Sequence, residues 1–342
     1  MDAAAVKQLS IAVIGGGVFG LWQAFFLSRR GHQVTLFEAM PEASVGGASR
    51  FAGAMLAPYC EAEAAEPIVK ELGVRGLALW REAFPAVVVR GSLVVAAARD
   101  QSELTRFQRL TEGHRSVDAD EIGRLEPDLA GRFARGLFFE TEAHVVPRRA
   151  LADLVAAARR QGAELCFGQA VPDPVWQAGS NGSVVIDCRG MGARSELPSL
   201  RGVRGEMAVL RAPEVKLSRT VRLLHPRFPL YLVPWDDSLY MIGATVIERE
   251  DANPVTVRSA LDLLGTAYAI HPAFAEAEIV ELSAGVRPAF PDNVPKVVAR
   301  GRRLFVNGAY RHGYLLAPVM AEIVADHLET GAVHPLMIVA DA

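Results

Sequence analysis

Apolar and polar residues follow two different patterns along this chain. Near the N-terminus, Ile11–Ile14 is a short, fully apolar run, which predicts a buried strand. Leu21–Arg30 then predicts a helix that Gly31 can end, and Val34–Phe37 predicts a second buried strand. Between residues 204 and 246, several strands instead follow one another with short connections, which favours an antiparallel sheet. The pattern therefore predicts two regions of different architecture.

The remaining pattern predicts further elements. Val87–Ala97 holds Gly91 and Ser92 between two β-rich apolar runs and predicts a hairpin or a pair of strands. Val145–Val171 predicts a β-α-β unit whose helix opens at Pro147. The other predicted elements are helices at 66–84, 102–111, 118–125, 257–268 and after residue 312, a strand beginning at 138, a turn at 180–183, and strands at 184–190, 204–210, 230–234 and 239–246.

These elements predict an α/β fold with an α+β second domain. The 342 residues exceed the length of about 250–300 at which a single core stops growing, so two domains are expected. We predict a Rossmann-like nucleotide-binding domain built from separated segments, and a substrate domain with a largely antiparallel sheet. The predicted boundaries are 1–84, 141–204 and 281–342 for the nucleotide domain, and 85–140 and 205–280 for the substrate domain.

The glycines after the first strand carry the strongest candidate chemistry. Gly15, Gly17 and Gly20 form a G-x-G-x-x-G turn, which suits the tight turn, the close approach of backbone to a pyrophosphate, and helix packing. The turn alone is weak evidence, since about 0.2 chance matches are expected in a chain of this glycine content. Glu38 follows the second strand, 18 residues after Gly20, where a carboxylate accepts ribose hydroxyls and repels a 2′-phosphate. This favours FAD or NAD over NADP.

Two other small-residue segments support a nucleotide site. Residues 48–58 combine small residues with Ser49 and Arg50, which can bond a second phosphate or a ribose. The strand at 184–190 runs into Gly190 and Gly192, where a doubly wound sheet holds its ligand. The structural alternative is a loop with ordinary packing glycines. Cys188 at the end of this strand is interpreted as a small core residue.

Composition narrows the class of protein. With 51% apolar and 22% charged residues and a net charge of −3, nothing suggests nucleic acid or an anionic membrane as a partner. We find no signal peptide and no apolar run of about 18 residues, so no membrane span is predicted. Cys60, Cys166 and Cys188 lack paired spacing, which fits a reducing cytoplasm, and no metal-binding spacing occurs.

Taken together, these residues resemble the D-amino acid oxidase (DAO) family of flavoproteins, and within it most closely the glycine oxidases of bacterial thiamine biosynthesis. The resemblance covers nearly the whole chain. Its blocks are 48–56 (ASRFAGAML), 231–234 (YLVP), 242–245 (IGAT), 285–288 (GVRP) and 307–318 (NGAYRHGYLLAP), of which the last two are the most specific. The resemblance implies FAD as cofactor, and we predict that it is bound non-covalently because the C-terminal loop has no cysteine.

The resemblance also implies roles for individual residues. Arg287 matches the family's carboxylate-binding arginine, and its planar fork suits an α-carboxylate. Tyr231 matches a tyrosine that donates a second hydrogen bond, and Arg311 matches an arginine facing the active site, although it can equally brace its loop. The predicted cofactor-binding residues are Gly15, Gly17, Val18, Phe19, Gly20, Glu38, Ala48, Ser49, Arg50, Ala52, Gly53, Met55, Val171, Cys188, Gly190, Gly192, Arg287, Tyr310, Arg311, His312, Gly313, Tyr314 and Leu315. His312 is interpreted as a hydrogen-bonding loop residue rather than a base.

The predicted reaction follows from this assignment. A clamped amino acid passes a hydride from its α-carbon to flavin N5, giving an imine, then a 2-oxo acid and ammonia, while molecular oxygen becomes hydrogen peroxide. Glycine or another small amino acid is the expected substrate, with thiamine thiazole synthesis as one setting. The alternatives are a D-amino acid dehydrogenase and a sarcosine or N-methyl amino acid oxidase of the same fold. A nucleotide-binding module without turnover and a plain NAD dehydrogenase are disfavoured, and the oligomeric state is left open.

Overall fold

The computed structural model describes residues 8–44, 46–171, 183–227 and 229–340, so residues 180–182 of the predicted turn lie outside the described residues. The helices are α1 (Val18–Arg29), α2 (Pro58–Glu61), α3 (Pro67–Ala83), α4 (Gln101–Leu110), α5 (Ala119–Leu125), α6 (Pro147–Arg160), α7 (Val257–Ile270) and α8 (Gly313–Thr330). The strands are β1 (Ser10–Ile14), β2 (Gln33–Glu38), β3 (Met55–Leu56), β4 (Ser92–Ala96), β5 (Arg115–Asp118), β6 (Arg135–Phe139), β7 (Ala143–His144), β8 (Glu164–Phe167), β9 (Val184–Asp187), β10 (Arg201–Arg211), β11 (Thr220–Leu224), β12 (Leu230–Pro234), β13 (Leu239–Gly243), β14 (Glu278–Ala289), β15 (Lys296–Arg300), β16 (Arg303–Asn307) and β17 (Met337–Ala340).

The first of two compact units contains a doubly wound sheet. It comprises Met1–Arg50, Pro147–Gly202 and Arg287–Ala342. Its seven strands lie in the order β17-β15-β16-β9-β1-β2-β8. The five from β16 to β8 are parallel to one another, whereas β15 is antiparallel to β16. From β1 the chain continues to β2 on one side, while β9 lies on the other. The strand order therefore reverses at β1 and β9, and open α/β sheets bind ligands at the carboxyl ends of strands at such a point.

Helix α1 is the central helix of this unit. Every residue from Val18 to Ser28 is buried, and the helix packs against α8 and α6. Gln23 donates a hydrogen bond from its side-chain nitrogen to the carbonyl of Met320 in α8 (3.2 Å), which gives that buried nitrogen a partner inside the contact. The helix begins at Val18 rather than at the predicted Leu21, so Gly20 lies in its first turn. Gly31 follows its end with φ of +90°, as a helix-ending glycine does.

The second unit is built on a mixed but mainly antiparallel sheet. It comprises Phe51–Val146 and Val203–Val286. The eight-stranded sheet has the order β14-β10-β13-β12-β11-β4-β6-β5 and a parallel pair between β4 and β11, and β3 and β7 form a separate antiparallel pair. The sheet and α7 share one apolar core, which contains Leu93, Leu232 and Ile242 of the sheet and Leu263 and Ile270 of the helix. The predicted antiparallel sheet is confirmed, and the fold is α/β with an α+β second unit.

Three predicted elements of this unit are wrong. The two halves of Val87–Ala97 do not pair: only β4 forms a strand there, while Val88 makes an isolated bridge to His144. The strand predicted to begin at Phe138 ends at Phe139. Val145 and Val146 form no strand, and β7 before them pairs with β3, so no β-α-β unit begins there. In each case tertiary pairing overrode the local apolar pattern.

The compact units also divide the chain differently from the predicted boundaries. Residues 51–84 and 141–146 belong to the second unit, because β3 pairs with β7 and α2 packs on α3. Residues 281–286 likewise belong to it through β14. Which unit binds the cofactor and which the substrate stays a prediction. Among the described residues, no helix combines the length and hydropathy needed to cross a bilayer.

Candidate active site

The glycine turn after β1 has a geometry that only glycine allows. Gly15 has φ of +102°, and a Cβ on it would lie 2.8 Å from the carbonyl oxygen of Cys188. A Cβ on Gly20 would lie 1.8 Å from the carbonyl oxygen of Gly15, so helix α1 rests directly on the turn. At Gly17 the nearest atom is the Ser49 hydroxyl at 3.3 Å. The turn and the helix start are thus one packed unit of main chain.

Glu38 is held beside this turn by two main-chain donors. Gly16 N–H donates to one carboxylate oxygen at 2.5 Å, and Met40 N–H donates to the other at 2.9 Å. Each oxygen keeps a second lone pair, so the carboxylate can still accept two hydroxyl groups. The segment after β8 also reaches this residue, because Gln169 N–H donates to the carbonyl of Glu38 (3.0 Å). Val171 comes two residues later.

Ser49 connects two helix starts. Its hydroxyl accepts a hydrogen bond from Val18 N–H, the first residue of α1 (3.1 Å). Its carbonyl accepts one from the Tyr314 hydroxyl in the first turn of α8 (2.9 Å). Burial raises the pKa of Tyr314, which keeps it as a donor. The segment with Ala48, Ser49 and Arg50, a short 3₁₀ turn, is therefore placed against both helix starts, as the small-residue pattern predicted only in outline.

The end of β9 lies beside the glycine turn. Cys188 N–H donates to the carbonyl of Ile14 (2.8 Å), and the thiol is buried. Burial, with a smaller contribution from Asp187, raises the pKa of this thiol well above its ordinary value, so it is a packed group rather than a nucleophile. Gly190 then turns with φ of +57° into a 3₁₀ turn that contains Gly192.

A buried acid at this strand end was not predicted. Asp187 is fully buried and accepts hydrogen bonds from the guanidinium groups of Arg189 (2.7 Å) and Arg303 (2.8 Å), which also pair with Glu196. The bond to Asp187 raises the pKa of Arg189. A charged residue at the end of an apolar strand was the available signal, the same one that identified Glu38. Here it marks a brace of the strand end.

The loop after β16 is braced by a buried asparagine. Asn307 donates to the carbonyl of Gly190 (2.9 Å), and its side-chain oxygen accepts Gly308 N–H (2.8 Å). Tyr310 has φ of +44° and donates its N–H to the carbonyl of Pro288 (2.8 Å). These bonds join the ends of β9, β14 and β16. Asn307 belongs to the quoted resemblance, yet its role became visible only in the structure.

Helix α8 starts from this loop. Its N-cap is His312, which is buried and makes no side-chain capping bond, and Gly313, Tyr314 and Leu315 form its first turn. Such a start presents main-chain N–H groups and the positive end of the helix dipole. Arg311 is exposed, and Arg287 is half-buried in β14 immediately before Pro288.

The first unit therefore brings together most of the predicted cofactor residues. The carboxyl ends of β1, β9 and β16 gather Gly15, Gly17, Val18, Glu38, Ser49, Cys188, Gly190 and the segment 310–315 at one edge of the sheet. Phe19 is buried within α1. Ala52, Gly53, Met55 and Tyr231 belong to the second unit.

Tyr231 lies in β12, opposite Arg222 of β11 and Gly243 of β13. A Cβ on Gly53 would lie 2.5 Å from its ring, so Gly53 leaves the space that the ring uses. The predicted role of Gly53 as a cofactor residue is untested, but the structure gives it this packing role. Among the described residues, no group of three or more His, Cys, Asp or Glu side chains is placed to hold a metal ion.

The residues at this edge of the first unit fit the parts of FAD. In the glycine turn, Cβ atoms on Gly15 and Gly20 would strike main-chain oxygens, so only glycine fits there. Without side chains at these positions, a diphosphate can approach the main chain at the start of α1. Glu38 supplies acceptors for ribose hydroxyls, and the α8 start supplies donors for a carbonyl or an anionic ring edge. The donor set thus fits the chemistry of FAD.

Fold and site together define a flavin-dependent oxidoreductase, and comparison with known proteins gives the family. Residues 10–327 match the model of the DAO family, FAD-dependent oxidoreductases, so the chain belongs to that family and uses FAD. It is 52% identical over 324 residues to ThiO of Rhizobium etli, named as a candidate oxidoreductase of thiamine biosynthesis, covering 94% of this chain and 97% of that one. It is 29% identical over 359 residues to a glycine oxidase of Geobacillus kaustophilus (94% and 93%).

Solved structures agree with this assignment. The crystal structure of glycine oxidase from Geobacillus kaustophilus superposes with a TM-score of 0.79 at 26% identity, covering 95% of each chain. The predicted family, fold class and cofactor are therefore confirmed.

Proposed function

We propose that this protein is an FAD-dependent oxidase of glycine or a related small amino acid. The observation that carries the proposal is the sheet edge of the first unit, where the glycine turn, Glu38 and two helix starts meet around Ser49. This arrangement suits a dinucleotide with a redox-active ring. The substrate class is supported by relatives along the whole chain that are named glycine oxidase or ThiO.

The chain's own residues have distinct proposed tasks. Arg287 clamps the substrate carboxylate through its guanidinium fork, and Tyr231 donates a hydrogen bond to the substrate. The α8 start, with N–H groups from Gly313 to Leu315, would stabilise negative charge that develops on the bound cofactor. Arg311, which is exposed, adds positive charge near that helix start. When bound, non-covalently, FAD accepts a hydride from the substrate α-carbon.

The proposed overall reaction balances with oxygen as acceptor. The amino acid loses two electrons and two protons and becomes an imine, and oxygen gains them and becomes hydrogen peroxide. Water then converts the imine to a 2-oxo acid and ammonia, unless thiazole synthesis for thiamine consumes the imine. We further propose a cytoplasmic location, which agrees with three free cysteines.

The test is a peroxide-coupled assay of purified protein with glycine, sarcosine, D-alanine and D-proline. Arg287→Ala is expected to lower kcat/KM by about 10³-fold, because a charge-assisted bidentate contact is lost. Visible flavin absorbance checks that the cofactor is retained. Arg258→Ala, an exposed arginine on α7, is the control and should leave kcat/KM unchanged.

Two outcomes would change the proposal. Unaltered turnover in Arg287→Ala would remove the carboxylate clamp. Reduced flavin that reacts slowly with oxygen and rapidly with a quinone, measured by stopped flow, would favour the dehydrogenase alternative.

A further inference from the structure

Arg222 is a buried cation on the same face of the sheet as Tyr231. The two residues are direct partners in the antiparallel β11–β12 pair, and directly opposed side chains share one face. The guanidinium carbon of Arg222 lies 6.0 Å from the centroid of the Tyr231 ring, within cation–π range. The side chain of Arg222 is only 9% exposed. Its charge therefore acts on the ring with little screening by water.

Glu61 holds Arg222 in this position. The Glu61 carboxylate accepts a short hydrogen bond from the Arg222 guanidinium, and the Glu61 side chain is 10% exposed. The same guanidinium nitrogen lies 3.8 Å from the sulfur of Met55 in β3. The cation is thus paired and enclosed, and its orientation is set by residues from a different part of the second unit.

Glu61 is itself anchored through α2. Cys60 N–H, one residue earlier, donates to the carboxylate of Glu142 (2.8 Å), which is fully buried. The carbonyl of Glu142 accepts a hydrogen bond from Gly91 N–H (2.9 Å). The anchor therefore runs from the β4 region through Glu142 and α2 to Glu61, and from there to Arg222.

The other side of the Tyr231 ring is limited by main chain. A Cβ on Gly53 would lie 2.5 Å from a ring carbon and 3.1 Å from the hydroxyl oxygen, and one on Gly243 would lie 3.5 Å from the ring. The ring is therefore confined between glycine main chain and the Arg222 cation. Such confinement fixes the direction of the hydroxyl group.

The burial of the Arg222–Glu61 ion pair is weak evidence that it stabilises the fold. Replacing a buried ion pair with apolar residues of similar volume is often neutral or stabilising, because desolvation offsets the attraction between the charges. We propose that Arg222, oriented by Glu61, is a positioning residue that fixes the Tyr231 ring so that its hydroxyl binds the substrate carboxylate. This inference rests on the proposed function of Tyr231, and it assigns Arg222 and Glu61 a role in substrate affinity rather than in folding.

The test uses holoenzyme and separates affinity from stability. The double variant Arg222→Met/Glu61→Leu removes both members of the ion pair. It is made in a Glu142→Gln background and compared with Glu142→Gln alone, because the buried Glu142 carboxylate also interacts with the Arg222 charge. We expect the urea midpoint of unfolding to be unchanged. We expect KM to rise about tenfold, which is the size of one lost hydrogen bond, and kcat to change less than about threefold. The dissociation constant of acetate, read from the perturbed flavin spectrum, should rise by the same factor. Arg222→Lys with Glu61 intact should recover part of the loss.

A double-mutant cycle with Tyr231→Phe completes the design. Tyr231→Phe alone should raise KM and the acetate constant about tenfold, and adding Arg222→Met/Glu61→Leu should cause little further change, since both act through one hydroxyl. Two results would overturn the positioning role of Arg222 while leaving the role of Tyr231 intact. One is that the fold-changes from Tyr231→Phe and from Arg222→Met/Glu61→Leu multiply when combined. The other is that Arg222→Met/Glu61→Leu leaves the dissociation constant of acetate unchanged while Tyr231→Phe raises it. An unchanged Tyr231→Phe would overturn the proposed role of Tyr231 itself.

Discussion

The cofactor edge of the first unit and the Tyr231 face of the second unit are built from different materials. The cofactor edge consists mainly of main chain: glycines that permit close approach, and helix starts joined by Ser49. The Tyr231 face consists of long side chains whose charges are buried and paired, such as Arg222 with Glu61. Backbone geometry tolerates almost no substitution, whereas paired side chains can be replaced together.

The second unit uses buried ion pairs repeatedly. Arg204 pairs with Glu206 at 2.6 Å, and Arg219 pairs with Glu126 at 2.7 Å, both with largely buried side chains. Each pair joins segments distant in sequence or closes a loop onto a strand, since Arg204 also donates to the carbonyls of residues 251, 253 and 254. The edge of the first unit is thus built from closely packed main chain, whereas the second unit contains buried, paired charges.

Gly20→Ala should have the largest effect. It tests whether the first unit depends on the close main-chain packing of its glycine turn. The added Cβ would lie 1.8 Å from the carbonyl oxygen of Gly15, which cannot rotate away. We expect the free energy of unfolding to fall by about 4 kcal/mol and FAD affinity to fall with it. Urea unfolding and flavin fluorescence quenching measure both. Gly17→Ala is the matched control for stability, because the atom nearest to the added Cβ is a side-chain hydroxyl at 3.3 Å. A fall in the free energy of unfolding as large as in Gly20→Ala would contradict this explanation.

His144 allows the cost of burying a charge in the second unit to be measured by changing the pH. It is a buried residue of β7, and burial lowers its pKa from 6.5 to about 4, with Arg90 acting in the same direction and the carbonyl of Pro234 opposing it. The unfolded chain therefore binds a proton before the folded chain does. The contribution of neutral His144 to the free energy of unfolding is therefore fully present above pH 6.5. It is lost as the pH falls towards about 4, a loss of about 3 kcal/mol.

The measurement is the urea unfolding free energy across this pH range. His144→Gln should flatten the acid side of the stability curve relative to the wild-type protein, because glutamine takes up no proton in this pH range. An equally steep acid loss in His144→Gln would assign it to other groups.

Glu38→Ala should have the smallest of the three effects and sharpens the role of side chains at the cofactor edge. It removes the acceptor of Gly16 N–H and Met40 N–H as well as the proposed ribose contact, so we expect FAD affinity to fall about 30-fold, or about 2 kcal/mol. Glu38→Gln should lose less, because one oxygen acceptor remains. Titration with FAD checks this, and Glu42→Ala, an exposed neighbour, should bind as the wild type does.

The parts of the fold that could be predicted are those with local signals. The short apolar runs of β1 and β2 and the patterns of α6 and α8 were predicted close to their observed bounds. Strand β11 was missed because Arg222 interrupts its apolar run, and the pairing of Arg222 with Glu61 is a tertiary contact that the local sequence does not indicate. The hairpin predicted at Val87–Ala97 failed because Val88 pairs with His144 instead.

The candidate site shows the same division. The glycine turn and Glu38 are readable because their function depends on residue type at short spacing. The bracing roles of Asn307, Ser49 and Asp187 were not readable, since each depends on a partner more than 30 residues away or on burial. Arg287 and Tyr231 came from family resemblance, and their roles stay predictions.

By itself, the sequence determined that a dinucleotide-type turn begins this chain and that an acid follows its second strand, because those features need only a few neighbouring residues of fixed type. The tertiary structure alone decided which distant segments meet at that turn, which charges are buried, and which strand carries Arg222 beside Tyr231. The physical reason is that a buried charge is stable only beside its partner, and that partner is chosen by the folded chain rather than by its local sequence.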